Sequence, residues 1–445
     1  MTVKEAFASW KGKAVKAAME EEIRSLIGMG TWELVERLLG VNIMKSRWVL
    51  TTKYHIDDTV EREKARLVVK GFMQVYGTNY DKTYALVSSY VTLRIFLSIV
   101  AVLDLNMMQL DMKNAFLQSK LDRTPLLWYR ALDGVLLGNG WKKSQVDTAL
   151  YFKVGDDKEL LEAAFELREI SPMQKYFGLD IVRDRSVRKL WLHQHGYADK
   201  LRRRFLVEEQ NGRTPKTTAS VDAYATLTFD DEEAQVRQEE EYRQKVSSLQ
   251  FAARTMRPDI AFACSKLGSG LTVRSDQHWR EVDLCLAYLA NTRDTALEFG
   301  GGAESLKRVG YVDADDAGDK QNWTSMGGYV FVFRGAAVSW SGQRIKILAA
   351  SRRDATILRV DNKSAITVAE GMGLTGNLKH MERRQAWLQH MVKRKKFSLR
   401  CIPTAEQPSD FLTKALHYPA FNRCSVAIVE VRLVDMGDGD NDVQQ

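Results

Sequence analysis

Four aspartates stand at positions where a carboxylate could hold a metal ion. They are Asp111 in QLDMKNAF, Asp313 in GYVDADDAGD, Asp361 in ILRVDNKSAI and Asp410 in QPSDFLTKAL. The first three close strand-like segments and the fourth opens a helix-like one. Carboxylates held in this way offer hard oxygen ligands to Mg²⁺, and two such ions can clamp a phosphoryl transfer. Asp111 lies among apolar residues in MMQLDMKNAFLQS, where burial is costly unless a cation or strong donor meets the charge. Taken singly, each of these aspartates is more often a turn or cap residue. A second set is basic: Lys64, Arg66 and Lys70 alternate in KARLVVKGF. Alternation on a strand puts such side chains on one face toward phosphates, or on a solvated edge-strand face.

Other motifs carry less. GMGLTG (371–376) has dinucleotide-loop spacing but follows a helical segment where a strand is needed. HQH (193–195) has no further metal ligand nearby and reads as surface, and DGDND near the end lacks the closing Glu of a calcium loop.

The elements that must position these residues belong to a chain of 445 residues, 45% hydrophobic, long enough for two to four domains with ordinary cores. A net charge of +8, from 65 basic against 57 acidic residues, is compatible with nucleic acid as partner without requiring it. Cys264, Cys285, Cys401 and Cys424 form no CxxC pair and no disulfide framework, so a reducing compartment is expected. No run of 18 apolar residues appears and KAAMEEEIRSLI is no signal peptide, which predicts a soluble, intracellular protein.

Residues 1–30 read as one amphipathic helix, with TWELVERL, SRWVLTTKYHI and KARLVVKGF as strands around the acidic turn DDTVERE. A helix over 91–103 leads into the strand MMQLDM. WYRALDGVLLGNGW reads as a helix, TALYFKV as a strand, 157–169 as a helix, and KYFGLDIVRDRSVRKLWLHQ as a hairpin. The acidic stretch 229–242 reads as a linker and 243–298 as helical. Three short strands follow from 307, then the strand ATILRVD, helices over 363–370 and 382–395, the strand FSLRCIP and a disordered tail. Mixed blocks of this kind indicate an α+β class.

The residues flanking these motifs resemble the reverse transcriptase–ribonuclease H region of copia-type LTR retrotransposon Pol polyproteins. The match is collinear from residue 10 to about 418. It includes TWELV, SRWVL, KARLVVKGFMQVYGTNYDKTYALVSSYVTLR, MMQLDMKNAFLQSKL, KYFGLDI, GYVDADDAGD, VSWSGQR, VDNKSAI and PTAEQPSDFLTKAL. The resemblance implies that Asp111 is the first metal-binding carboxylate of a polymerase palm. It places Phe116 where an aromatic excludes a 2′-hydroxyl, and Lys64, Arg66 and Lys70 where the fingers approach the incoming triphosphate. It makes Asp313, Asp361 and Asp410 metal ligands of a ribonuclease H-like domain. Mg²⁺ is the implied cofactor, and RNA, DNA, their hybrid and deoxynucleotides are the implied partners, with no membrane.

Two blocks of that family's pattern are missing. A Tyr-Val-Asp-Asp hairpin should follow DTALYFKV, but the chain passes to GDDKELLEAAFELREI, where only Asp156 and Asp157 stand in. A Leu-Tyr-Gly-Leu-Lys-Gln block that should precede WYRAL is also absent. In the second half, AASRRDAT replaces Ser-Ser-Thr-Glu-Ala-Glu-Tyr, with Asp354 and Thr356 at the two Glu positions, and ILRVD begins at once. No helix of ten residues fits there. Leu86 for a family Pro, and YFGLDI for YFLGI, are smaller departures.

The expectation is a reverse transcriptase-like part with truncated fingers, palm and thumb (1–215), a helical connection (216–300), a ribonuclease H-like α/β domain (301–420) and a tail (421–445). It reads as a fragment of a polyprotein, in cytoplasm or nucleus, whose RNA-directed DNA synthesis and hybrid RNA cleavage are impaired. The alternative is a non-enzymatic nucleic-acid-binding remnant, suggested by the runs RRR (202–204) and KRKK (393–396), or a relic with no role. A third reading is that coding sequence was skipped, since the losses are clean blocks with matching flanks.

Overall fold

The computed structural model describes residues 3–33, 35–36, 43–54, 59–75, 88–112, 127–153, 167–206, 215–220, 239–271, 276–300, 308–319, 324–344, 356–363, 366, 369–370, 389–429 and 431–432. The chain begins with helices α1 (Val3–Ala8) and α2 (Gly12–Gly28), then strands β1 (Ser46–Tyr54) and β2 (Val60–Val69). Helix α3 (Tyr90–Leu103) precedes β3 (Met108–Met112), α4 (Leu127–Gly138), β4 (Lys142–Lys143), β5 (Tyr151–Phe152) and β6 (Leu167–Pro172). Next come β7 (Lys175–Tyr176), β8 (Leu179–Asp184), β9 (Lys189–His193) and α5 (His195–Arg204). Helices α6 (Glu239–Thr255), α7 (Ala261–Ser269) and α8 (Asp276–Asn291) lead into β10 (Thr295–Gly300). The remaining strands are β11 (Arg308–Asp319), β12 (Thr324–Phe333), β13 (Ala336–Arg344), β14 (Thr356–Val360) and β15 (Phe397–Cys401). Helix α9 (Tyr418–Val426) and β16 (Val431–Arg432) follow.

Two compact units result: Met1–Ser89 with Met108–Pro172, and Tyr90–Met107 with Met173–Gln445. In the first, the single helix expected over residues 1–30 is broken. Ser9 Oγ donates back to the Ala6 carbonyl at 2.7 Å, and a side chain at Gly12 would sit 2.5 Å from the Phe7 carbonyl oxygen. Of the strand expected in TWELVERL, the described residues Thr31–Glu33, Val35 and Glu36 lie outside any strand. Strand β1 pairs with β2 from Ser46↔Val69 to Tyr54↔Val60. That pairing draws part of the expected acidic turn into β2. One face of the β1–β2 hairpin is covered by α2: Ala65 is buried, Glu22 accepts from the Leu67 N–H, and Lys11 pairs with Glu63 at 2.8 Å.

The second unit holds one continuous core. Leu93, Leu97 and Ala101 of α3 meet Leu190 and Leu192 of β9, Leu297 and Phe299 of β10, and Leu249 and Val246 of α6. One sheet runs β16-β10-β9-β8-β7 and is antiparallel. The other runs β13-β12-β11-β14-β15, antiparallel on its first three strands and parallel from β11 through β14 to β15. Helices and mixed sheets together bear out the α+β class.

Three expectations are corrected here. Residues 295–298 are strand β10 rather than helix, because Ala296, Leu297 and Phe299 bury their side chains while the backbone pairs with β9. The linker expected over 229–242 is helical from Glu239, where Tyr242 is fully buried and donates to the Leu267 carbonyl at 2.9 Å. The expected disordered tail begins as structure: Phe421, Cys424, Ile428 and Val429 pack into the core. Among the described residues, no helix is long and apolar enough to cross a membrane. All four cysteines are free thiols.

Candidate functional site

Three of the four sequence-selected aspartates come together. Ligand oxygens of Asp313, Asp361 and Asp410 lie within 4.8 Å of one another. The first two are neighbours by topology. Strands β11 and β14 are parallel and in register at Tyr311↔Arg359, so Asp313 and Asp361, each two residues on, reach the same end of adjacent strands. Arg359 Nη1 donates to the Tyr311 hydroxyl at 2.9 Å and ties the strands just before that point. The Ile402 N–H donates to the Val360 carbonyl at 3.1 Å, fixing the chain where Asp361 begins.

Asp410 arrives on a 3₁₀ turn, Pro408–Leu412, opened by Pro408, whose ring pre-sets the backbone angle. Gln407 anchors this turn beside Asp313 by donating through Nε2 to the Val312 carbonyl at 3.0 Å. Phe411 and Leu412 bury themselves in the core. Space for the turn comes from a row of small residues across the sheet, Asp313↔Gly328 and Gly328↔Gly342. A side chain at Gly342 would lie 2.5 Å from the Leu412 carbonyl oxygen, and one at Gly328 would lie 2.8 Å from Leu412 Cβ and from Thr413 Cγ2.

The site is strongly negative. Burial, then the charges of Asp313 and Asp361, raise the Asp410 carboxyl above its ordinary range, against the pull of Lys414. Lys414 Nζ pairs with Asp410 Oδ2 at 2.9 Å, and the Thr413 hydroxyl donates to Asp313 Oδ2. Asp410 Oδ1 is buried and has no hydrogen-bond partner. Three converging carboxylates with one orphaned oxygen fit a hard divalent cation. Sequence reasoning misses Thr413 and Lys414, although Lys414 stands four residues after Asp410, the spacing of a helical ion pair.

In the first unit, Lys64 and Arg66 share a face of β2, and Lys70 directly follows that strand. The pairing adds Arg62 on β2, and Arg47 and Lys53 on β1, through Arg47↔Val68, Val49↔Arg66, Thr51↔Lys64 and Lys53↔Arg62. Among the described residues, the face opposite α2 thus carries five cations and no acid. Sequence reasoning misses Arg47 and Lys53, though the odd positions of RWVLTTK alternate like the even positions of β2.

The structure does not bring Asp111 into a described cluster. It is in β3, paired in register with Glu169 of β6. The helix expected over 157–169 is corrected at its last three residues, because LREISP supplies the strand that pairs with β3. The side chains of Asp111 and Glu169, and Phe116, Asp156, Asp157 and Asp354, lie outside the described residues. The RRR run closes α5, where Arg202 and Arg203 both pair with Asp199, at 3.2 and 2.7 Å. Part of its charge is thereby used within the chain.

Residues 29–151, which include Lys64, Arg66, Lys70, Asp111 and Phe116, match the reverse transcriptase (RNA-dependent DNA polymerase) family. The chain is 30% identical to the Pol polyprotein of transposon TNT 1-94 from Nicotiana tabacum, over 95% of its own length and 38% of the relative's. It is 26% identical to that of transposon RE2 from Arabidopsis thaliana, over 96% of its own length and 35% of the relative's. It therefore spans between a third and two fifths of the polyproteins it matches. The tobacco alignment runs over 509 positions against the chain's 445 residues, so at least 64 positions have no residue here. A foamy viral protease–reverse transcriptase solved with double-stranded DNA aligns at a TM-score of 0.46 and 12% identity, over 88% of this chain and 70% of that one. One segment of the chain thus matches the reverse transcriptase family, and nearly all its length is similar to the Pol polyproteins of the transposons TNT 1-94 and RE2.

Proposed function

We propose that the chain is a reverse transcriptase–ribonuclease H region of retrotransposon origin that retains a divalent-cation site but performs neither polymerisation nor hybrid cleavage efficiently. The observation that carries this reading is the Asp313–Asp361–Asp410 cluster with its orphaned buried oxygen. Mg²⁺ held there would polarise a phosphoryl oxygen and stabilise charge at a scissile phosphate. Asp313 and Asp361 would hold it from the strand ends, and Asp410 from the turn.

Two features support impairment. Eleven residues, 345–355, connect β13 to β14, and none of them is Glu; their one carboxylate, Asp354, falls at the first Glu of the family motif, and Thr356 stands at the second, where the metal ligand is expected. In the polymerase half, the strand beside Asp111 is LREISP rather than one bearing an Asp-Asp pair. Loss of the group that anchors the second ion removes stabilisation where charge develops. In this reading Asp111 remains a metal ligand by ancestry, Phe116 the sugar-selecting aromatic, and Lys64, Arg66 and Lys70 phosphate contacts. The partners are RNA, DNA and hybrid, with deoxynucleotides at the fingers, inside the cell in cytoplasm or nucleus. The boundary between the two functional parts falls within 216–300.

Primer extension on an RNA template with Mg²⁺ or Mn²⁺ tests the polymerase half. The expected result is no synthesis above an Asp111→Asn control, and template-dependent extension lost in that control would refute it. A second reading, non-enzymatic nucleic-acid binding, is favoured by the five-cation face of the β1–β2 hairpin. It predicts hybrid binding that weakens steeply with salt and outcompetes other duplexes; equal, weak binding to any polyanion would refute it.

A further inference from the structure

The acidic cluster already contains a cation, and it is a side chain. Lys414 Nζ lies 2.9 Å from Asp410 Oδ2, with the Lys414 side chain 38% exposed and that of Asp410 only 10%. The segment that carries Lys414 is tied to the cluster. The Thr413 and Lys414 N–H groups donate to the Asp410 carbonyl at 3.1 and 3.2 Å. The Thr413 hydroxyl donates to the same carbonyl at 3.0 Å and also to Asp313 Oδ2. Among the described residues, one ammonium faces three carboxylates and Asp410 Oδ1 stays buried without a partner, so neutralisation within this set is incomplete.

We propose that Lys414 is the built-in counter-cation of this site, holding Asp410 while no divalent ion is bound and giving way when one binds. This rests on the metal reading above. An ammonium and a divalent ion on the same carboxylate repel each other, and the repulsion is strong where water is scarce. Of the groups touching the ligands, Lys414 is the one that can leave. Its four-carbon stem reaches solvent, so the ammonium can swing outward and regain hydration. The loss of a half-exposed ion pair is a small cost beside that repulsion. The Thr413 hydroxyl is neutral and can stay. Divalent-cation affinity is therefore set by competition with Lys414, which a merely structural ion pair would not produce.

The test uses the full chain at pH 8, with Mn²⁺ alone as probe in titration calorimetry. Thermal unfolding against Mg²⁺ is followed in parallel. Lys414→Met, which keeps the apolar stem and removes the charge, should bind Mn²⁺ about tenfold more tightly than the unmodified chain, as removal of one nearby charge predicts. Without metal it should melt earlier. Lys414→Arg keeps the charge and should bind as the parent does. If Lys414→Met does not fold, Lys414→Gln serves. The parent chain with reductively dimethylated lysines offers a third route, since the Lys414 NMR signal, assigned by its loss in Lys414→Arg, should move on adding Mg²⁺. Equal or weaker Mn²⁺ binding by the uncharged variants, or an unmoved Lys414 signal while Mg²⁺ binds, overturns the inference alone. Absence of cation binding in every form overturns the metal site and the inference together.

Discussion

Arg94 of α3 is 3% exposed, yet its guanidinium meets no carboxylate among the described residues. It meets main-chain carbonyls instead: Nε donates to Val338 at 2.8 Å, and Nη1 to Arg254 at 3.1 Å and to Thr255 at 2.6 Å. Arg254 and Thr255 are the last residues of α6, whose final carbonyls have no partner within their own helix. Arg94 thus caps α6 from another helix, with its charge at the negative end of the helix dipole. It also stacks on the Trp340 ring at 3.9 Å. Burial pulls its proton affinity down to about 9, which shows that dehydration offsets part of what these contacts contribute. Arg94→Met removes all three N–H donors and leaves two buried carbonyls, those of Val338 and Thr255, and the part-buried one of Arg254, each costing about 1–3 kcal/mol if unmet and dry, while the desolvation of the charge is recovered. The net loss should be about 3–5 kcal/mol, a large share of a typical total of roughly 5–15 kcal/mol. Urea unfolding followed by tryptophan fluorescence measures it. Arg94→Lys should fall between, since one ammonium cannot satisfy three fixed carbonyl directions. A loss below about 1 kcal/mol in Arg94→Met would refute the reasoning, because the carbonyls would then be hydrated or already satisfied.

Further outcomes rest on the same geometry. In thermal melts, Asp361→Asn should abolish the Mg²⁺-induced gain, which for an intact site is about 2.7 kcal/mol at a hundredfold excess over Kd. The raised Asp410 carboxyl holds its proton more tightly folded than unfolded, so its contribution to metal-free stability is present in acid and lost as pH rises through its folded pKa. Asp410→Asn should flatten that part of the pH–stability profile. Gly342→Ala drives a methyl against the Leu412 carbonyl and should cost about 1–3 kcal/mol and weaken Mn²⁺ binding, both read by calorimetry. Arg47→Glu with Arg66→Glu should lower the salt slope of single-strand binding by about one for each phosphate no longer neutralised, measured by fluorescence anisotropy.

How much of this is legible in the sequence depends on how local the cause is. Strands β11 and β14 of the second sheet are readable from short apolar runs leading to an aspartate, and their parallel pairing converts that pattern into a cluster. The break between α1 and α2 is not readable from periodicity, because it depends on one serine hydroxyl and one glycine contact. Strand β6 is hidden because FELRE has helical spacing, whereas its backbone is claimed by the distant β3 through Leu110↔Ile170 and the neighbouring pairs. Arg94 escapes assignment altogether: its partners are carbonyls, which carry no sequence signature.

Under the proposed reading, the two carboxylate sets respond differently to lost sequence because their ligands are held by different kinds of contact. In the second unit, Asp313 and Asp361 are set by the β11–β14 ladder, and Asp410 by a turn seated on Gly328 and Gly342. None of these contacts passes through residues 345–355, so shortening that connection can remove a ligand without dispersing the rest. In the first unit, under the same reading, the family's hairpin would have supplied both the ligands and the strands that carry them, whereas the strand paired with β3 is β6. Under the proposed reading, cation binding is therefore separable from catalysis in this chain. A preparation that binds Mn²⁺ and melts later with Mg²⁺, yet extends no primer and cleaves no hybrid, is the state that this arrangement of contacts predicts.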